Sequence, residues 1–545
     1  MSCALTYKIH AMPDGSISSL PQKSPASTWV RWALPAASDM IFVVLLGSLC
    51  FTGLAAKMLG DAGIGWHIRT GQQILSTHRI PRVDPYSSIM SGKRWIAWEW
   101  LYDAIVGALD SAVSLNGVVW FNAFVIAATF AITFQSMITR GTKFFAALFL
   151  ILLAISASMI HVLARPHVLT WLFVVIWFTI LDGSEQESMT AKIAARSRRL
   201  WLLPTTMVIW VNLHGGFLLG LVLCAIFWLS ALWSWRATAR TFDDTLLRLA
   251  CGKRLRDLSA ATLLCAAATF VNPYGWALHR HIFSYLRNPF LMDHIEEFQS
   301  PNFHQLAPRC FLALLLVTFA ALAIRKRALK TSELLLLMFA IYAGLFASRN
   351  IPVASILLVL IVGPLLPPLR ALSKLSNRMT TVDSTLRGHT WVIVAVVFVL
   401  FVDFNGGRFA GKVLANAHFD PSRMPVAAVD HLESIRISSP VLTPDSWGGY
   451  VIYRLYPGSK VLLDDRHDLY GEQVLASYLK MFRAQPGWDD FLRDHNITCV
   501  LMPRNAAISA MLSQAPGWKS IYSDNLAIMF VRSDSQNFAS PASSR

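Results

Sequence analysis

The chain has 545 residues, of which 54% are hydrophobic and only 15% charged, with a mean hydropathy of +0.47. A soluble chain carries about 25% charged residues, so composition excludes an ordinary soluble globular protein and points to a membrane protein. The net charge of +16 does not indicate nucleic acid: the positive residues sit in short clusters between apolar runs, and no long basic tract is present.

The seven cysteines, Cys3, Cys50, Cys224, Cys251, Cys265, Cys310 and Cys499, are scattered and form no CxxC pair, so neither a zinc site nor a disulfide framework is indicated. The first ~30 residues are rich in Ser and Pro and lack the apolar core of a cleaved signal peptide. Residues 1–35 are expected to form a disordered cytoplasmic tail, followed by a first span that acts as an uncleaved signal-anchor.

Apolar runs follow near 38–58, 116–138, 144–162, 167–183, 200–213, 216–236, 257–273, 308–325, 332–348, 351–369 and 389–405. Several are shorter than the roughly 20 residues a crossing needs. Basic clusters orient them: Arg140 with Lys143; Lys192, Arg196, Arg198 and Arg199; Arg236, Arg240, Arg248, Lys253, Arg254 and Arg256; Arg325, Lys326, Arg327 and Lys330; Arg370, Lys374, Arg378 and Arg387. With all of these on the cytoplasmic side, the chain makes about eleven crossings. The expected fold is an α-helical polytopic membrane module over residues 36–405. Its large first outer loop (58–115), the turn at Arg165, the turn Asn212-Leu213-His214-Gly215-Gly216, segment 273–307 and the turn Ser348-Arg349-Asn350 then face outside. Residues 98–113 are read as an amphipathic helix lying on the outer membrane surface.

After residue 406 the apolar runs shorten to strand length (Val461-Leu462-Leu463, Cys499 to Met502, Ala527 to Val531) and alternate with amphipathic stretches at 425–436 and 470–483. Residues 406–534 are therefore expected to form an extracytoplasmic α/β domain. No GxGxxG or P-loop occurs in it. Residues 535–545 read as a disordered tail.

The outward turns are short but rich in side chains that do chemistry. Asp61, His67, Arg69, Asp84, Glu99, Arg165, His167, Asn212, His214, Asn272, Arg349 and Asn350 share one expected side, and ionisable groups at membrane depth are costly and usually functional. Each has a plainer reading. Asp61 fits the N-cap of a helix starting near Ile64. Arg69 fits a headgroup contact, Asp84 before Pro85 a turn, and Trp66, Trp95, Trp98 and Trp100 an interfacial belt. His67, His167 and His214 share no ligand spacing such as HxxxH, so the sequence requires no metal; a divalent cation remains an option only at Asp464, Asp465 and Asp468, where an acidic turn at a strand end is the plainer reading.

One span followed by a large outer loop that opens on Asp61 resembles the GT-C superfamily of integral-membrane glycosyltransferases, in its bacterial branch related to protein mannosyltransferases and aminoarabinose transferases. The resemblance extends in layout over residues 35–405. Asp61 matches the family's first-loop catalytic acid, although Ala62 stands where a second acid is usual, and Trp95 to Leu101 sits where relatives carry a Lys/Pro/Trp-containing stretch. Asp445-Ser446-Trp447-Gly448-Gly449-Tyr450 is similar to the WWDYG motif of oligosaccharyltransferase catalytic subunits, with Gly448 in place of the central Asp.

The resemblance implies transfer of a sugar from a polyprenyl-phosphate donor to a lipid, glycan or protein acceptor outside a bacterial inner membrane. Asp61 is then the general base, with Asp84 as a second catalytic acid. Arg69, Arg165 or Arg349 holds the phosphate, and His67, Glu99, His214, Trp447 and Tyr450 contact substrate. The alternatives are a non-catalytic membrane scaffold, which the missing second acid favours, and a lipid or glycan transporter, for which no internal repeat is visible.

Overall fold

The computed structural model describes residues 28–187, 197–240, 245–368, 370–386, 388–437 and 439–533. The tail expected to be disordered over 1–35 is helical where it is described, at Thr28–Ala33, and the first span begins at Arg31. Residues 1–27, the tail expected at 535–545, and Lys192, Arg196 and Arg387 of the basic clusters lie outside the described residues.

Each of the apolar runs before residue 406 is mainly helical. Among the described residues, seven helices are long and apolar enough to cross a membrane: Arg31–Phe51, Trp100–Thr139, Phe144–His161, His167–Glu185, Gly215–Thr238, Leu306–Ile324 and Ser348–Leu365. The pair Ser373–Thr385 and Thr390–Phe404, bent by 69°, makes an eighth if taken as one span. The remaining runs are Leu202–Leu213, of 12 residues, Thr331–Phe346, of 16 residues, and Thr245–Ala268, whose first half carries Arg248, Lys253, Arg254 and Arg256. Ile351–Val362 is buried at every residue, as expected of a helix apolar on all sides at the centre of a bundle.

The two ends of the bundle differ. At one end Arg140 pairs with Asp182 and, at 2.9 Å, with Glu333; Glu185 accepts from Ser332 at 2.6 Å and from Arg254 at 3.3 Å. Each acid there has a basic partner, which offsets the cost of charge between packed helices. At the other end lie the turns that carry Arg165, His214 and Arg349, together with Glu99 at the start of the 40-residue helix Trp100–Thr139. Of residues 98–113, the part from Trp100 on forms the first section of that helix, which breaks at Val113 and Ser114 before continuing. Its buried face, with Tyr102, Asp103, Val106 and Gly107, packs on Ile64–Thr77: a Cβ on Gly71 would come within 1.8 Å of the Asp103 carbonyl oxygen.

The tail domain is α/β, as its alternating pattern implies. Its four-stranded sheet runs Val441–Leu442, Cys499–Pro503, Ala527–Arg532, Trp518–Ser523, with the first pair parallel and the others antiparallel. The domain is seated on the first loop rather than tethered beside it. Ser87 pairs with Val461, and the Tyr86 carbonyl accepts from the Val461 N–H at 3.2 Å. Helix Asp445–Leu455 presents Gly449 directly against Ala62–Gly63: a Cβ on Gly449 would lie 2.2 Å from the Ala62 carbonyl oxygen.

Candidate functional site

Asp61 opens the turn before helix Ile64–Thr77. Its Oδ1 accepts from the Gly63 N–H at 2.8 Å and from Arg165 Nη1 at 3.0 Å. The same Nη1 donates to Asp465 Oδ2 at 2.8 Å, and Trp66 Nε1 donates to Asp465 Oδ1 at 2.9 Å. One guanidinium nitrogen thus joins the first loop, the turn before His167–Glu187 and the tail domain. Burial works against the Arg165 cation, but Asp61 and Asp465 outweigh it and hold its pKa well above the ordinary arginine value. Asp465 is raised, chiefly by burial, with Arg165 opposing. Asp61 Oδ2 makes no hydrogen bond among the described residues, and the Asp61 side chain is 24% exposed.

Beside this bridge lies a second cluster. Glu99 Oε2 is 3.8 Å from His67 Nε2, and Glu99 Oε1 is 3.6 Å from His214 Nε2. His67 Nδ1 is 2.5 Å from Asp103 Oδ1, and the imidazole stacks on Trp66 with ring centres 3.6 Å apart. His214 Nδ1 accepts from the Gly216 N–H at 3.1 Å and lies 2.8 Å from Thr170 Oγ1, which itself accepts from Trp210 Nε1 at 3.1 Å. Burial pushes the Glu99 carboxyl up to about 8; Asp468 and Asp465 add to this while Arg165 and Arg349 oppose it. Burial lowers both His67 and His214 well below the ordinary histidine range.

Arg349 stacks over Phe298 at 4.5 Å beside Glu297. Burial would raise Glu297, but Arg349, His161 and Arg165 outweigh it and bring the carboxyl to about 2. His281 Nε2 lies 2.8 Å from Asp468 Oδ2, and both residues border a pocket of about 330 Å³ lined also by Arg94, Trp95 and Arg280.

The other residues singled out in the sequence sit elsewhere. Arg69 donates through Nε to the Tyr453 carbonyl at 2.8 Å and through Nη2 to the same oxygen, so its guanidinium ties Ile64–Thr77 to the end of Asp445–Leu455. Asp84 is 1% exposed and accepts from the Tyr86 and Ser87 N–H groups and the Ser87 hydroxyl. Its Oδ1 lies 2.9 Å from Arg466 Nη1, at ion-pair distance but off the hydrogen-bond axis. Arg466 donates to Asp464 at 2.6 and 2.8 Å and stacks on Trp95 at 4.7 Å. Trp447 donates to the Arg423 carbonyl at 3.0 Å, and the Tyr450 hydroxyl accepts from Arg454 at 2.9 Å. Both rings are packing groups that seat the helix carrying Gly449.

Asp103 and Glu297 are acids that pattern reading passed over, and Asp465, weighed there only as an optional cation ligand, is the partner of Arg165. Asp465 belongs to the run Asp464-Asp465-Arg466-His467-Asp468, each member of which binds another residue: Asp464 to Arg466, Asp465 to Arg165, Arg466 to Asp84, His467 to Asp445, Asp468 to His281. A run of four charged residues and a histidine directly after the buried apolar segment 461–463 is the signal that marks it. Asp103 stands one helical turn after Glu99, a spacing that places both acids on one face.

A divalent cation does not fit between Asp61 and Asp465, because the Arg165 guanidinium already binds both carboxylates there. Among the described residues no three His, Cys, Asp or Glu side chains are grouped to hold a metal ion.

No protein-family model matches the chain, and no curated protein matches it either. Solved structures do. The oligosaccharyltransferase of Archaeoglobus fulgidus, tethered to an acceptor peptide containing the NVT sequon, aligns with a TM-score of 0.52 over 93% of this chain and 74% of its own, at 10% identity. ArnT of Cupriavidus metallidurans bound to undecaprenyl phosphate aligns at 0.47 over 92% of this chain and 98% of its own, at 12% identity. The chain is an integral membrane protein with the GT-C fold.

Proposed function

We propose that this chain is a membrane glycosyltransferase that moves a sugar from a polyprenyl-phosphate-linked donor to a lipid, glycan or protein acceptor. The observation that carries the reading is the Asp61–Arg165–Asp465 bridge, set on a GT-C fold at one end of the helical bundle. The undecaprenyl phosphate bound by ArnT names the carrier class that suits such a site.

A sugar on a lipid phosphate already has a good leaving group. The protein has to take a proton from the acceptor hydroxyl and offset charge on the departing phosphate. Asp61, anchored through Oδ1 with Oδ2 open, is the base; such a group contributes typically 10²–10⁴-fold. Arg165 spends one nitrogen on two carboxylates, and its remaining N–H groups have no protein partner among the described residues. They act on the phosphate electrostatically, with Arg349 as the second cation. Asp84 supports the site by holding Arg466 and the first loop. The site end and the tail domain face outside a bacterial inner membrane; reporter fusions near residue 192 and at the C-terminus should report opposite sides.

The reading is tested with the full chain in proteoliposomes supplied with radiolabelled polyprenyl-phosphate sugars. Transfer by the wild type and its loss in Asp61→Asn are expected. No transfer from any such donor, with unchanged surface glycans in a strain lacking the chain, overturns it and leaves the scaffold reading.

A further inference from the structure

Glu99 is flanked by two imidazoles, and the hydrogen bonds behind those rings fix which nitrogen carries a proton. His214 Nδ1 accepts the Gly216 N–H, so its proton sits on Nε2, aimed at Glu99 Oε1. His67 Nδ1 lies 2.5 Å from Asp103 Oδ1; with the proton of that contact on Nδ1, Nε2 is a bare lone pair aimed at Glu99 Oε2. That Nε2 is fully buried and has no hydrogen-bond partner among the described residues. Buried polar atoms left without a partner are uncommon and often belong to catalytic groups. One donor and one acceptor facing a carboxyl are satisfied by a carboxylic acid, with Oε2–H toward His67 and Oε1 accepting from His214. A carboxylate would leave the His67 lone pair facing negative charge.

We propose that Glu99 is the proton donor of the transfer site, giving its proton to the phosphate oxygen that leaves the sugar, with His67–Asp103 and His214–Thr170 as positioning pairs. The inference rests on the glycosyl-transfer reading above. In the step, the sugar–oxygen bond breaks with its electron pair going to phosphate oxygen, and that oxygen takes the Glu99 proton. The acceptor oxygen bonds to the sugar, and its proton goes to Asp61. One proton then returns from Asp61 to Glu99 through solvent. Protonation keeps the departing phosphate from becoming a dianion beside the membrane, where charge is poorly solvated. The 3.6 and 3.8 Å gaps are of the kind that tighten when substrate binds.

Burial raises the Glu99 carboxyl to about 8, and the charged or titratable groups facing it are His67, His214, Arg165, Arg349, Asp103, Asp465 and Asp468. Two measurements on the full chain in proteoliposomes test the assignment: kcat/KM for transfer between pH 6 and 10, and binding of undecaprenyl phosphate over the same range. Wild-type kcat/KM is expected to fall about tenfold per pH unit above about 8, and undecaprenyl phosphate to bind more weakly there. Glu99→Gln is expected to lose about 10²-fold in rate and to show neither pH dependence. Asp103→Asn removes an acid one helical turn from Glu99, which favours the Glu99 carboxylate, so the alkaline limb moves to lower pH. A wild-type rate or an unmoved alkaline limb in Glu99→Gln overturns the assignment. So does an unmoved limb in Asp103→Asn, which stands in if Glu99→Gln does not fold. Undecaprenyl phosphate binding that is independent of pH in the wild type overturns the Glu99 role while leaving the transferase reading. Absence of transfer by the wild type at every pH removes the transferase reading and this role with it.

Discussion

Asp61 and Arg165 are 104 positions apart in the chain, yet their side chains meet at 3.0 Å, and Asp465 closes on the same guanidinium nitrogen from 300 positions beyond Arg165. With side chains 24% and 22% exposed, the Asp61–Arg165 pair contributes at most about 1 kcal/mol to stability. Its value lies in placement. A displacement of about 1 Å at a reacting centre costs on the order of 10²-fold in rate.

Asp61→Asn separates base from turn residue. An amide oxygen still accepts from the Gly63 N–H, so the turn is kept and thermal stability should fall by no more than about 1 kcal/mol. An amide cannot take the acceptor's proton, so transfer should drop by at least about 10²-fold. A radiolabel-transfer assay with a melting curve in detergent checks both; full transfer activity removes Asp61 from the base role.

Asp84→Asn should do the reverse. Asp84 and Asp464 hold Arg466, which is 3% exposed, and the stacked rings of Trp95 and Tyr86 leave it no route to water. Removing one charge from a buried pair is expected to cost about 1–3 kcal/mol. The melting temperature should fall clearly while kcat per folded molecule stays near wild type. Loss of kcat without loss of stability would give Asp84 a direct part in the reaction.

What the sequence displayed and what it hid have physical causes. Apolar runs mark spans because the lipid-facing surface has to be apolar, and each run before residue 406 is mainly helical. The turns that share Arg165, His214 and Arg349 were visible because basic clusters oriented the spans. The direction in which a side chain points was not visible. Arg69 and Arg165 look alike in sequence, but one lies on the helix face packed against Asp445–Leu455 and the other in a turn facing Asp61. Asp465 stayed hidden because its partner lies 300 positions away and no periodicity encodes contacts at that range. Trp447 and Gly449 were read through a motif, whereas their chemistry is steric: the ring fills the core and the glycine permits close approach.

Gly449→Ala tests that close approach. The added Cβ would meet the Ala62 carbonyl oxygen at 2.2 Å, and a backbone atom cannot swing aside. Relief requires helix Asp445–Leu455 to back away from the first loop, at about 1–3 kcal/mol for overpacking. Because the same contact positions Asp465 against Arg165, transfer should fall by about 10²-fold, while insertion persists. Gly47→Ala, where nothing lies within 4 Å of the new Cβ, is the matched control and should be unaffected. Equal activity in the two variants would show that seating of the tail domain does not control the site.

The pair His467–Asp445 makes that seating depend on pH. His467 Nε2 lies 2.8 Å from Asp445 Oδ2 and joins the first turn of His467–Phe482 to the first turn of Asp445–Leu455. Burial opposes the imidazolium, but Asp445, with Asp465 and Asp468 behind it, outweighs burial and raises the His467 pKa above its ordinary value. Burial likewise opposes the Asp445 carboxylate, and His467 outweighs it, so that pKa is lowered. A raised pKa in the folded state means that folding favours the bound proton. The stabilisation is complete below the unfolded value of about 6.5 and is lost as pH rises through the folded value. The melting temperature of the wild type should therefore decline as pH is raised from 6 to above the His467 pKa. His467→Gln keeps a donor to Asp445 but no titrating proton, so its melting temperature should start lower and lose that decline. Parallel curves for the two proteins would place the source of any pH dependence in another group.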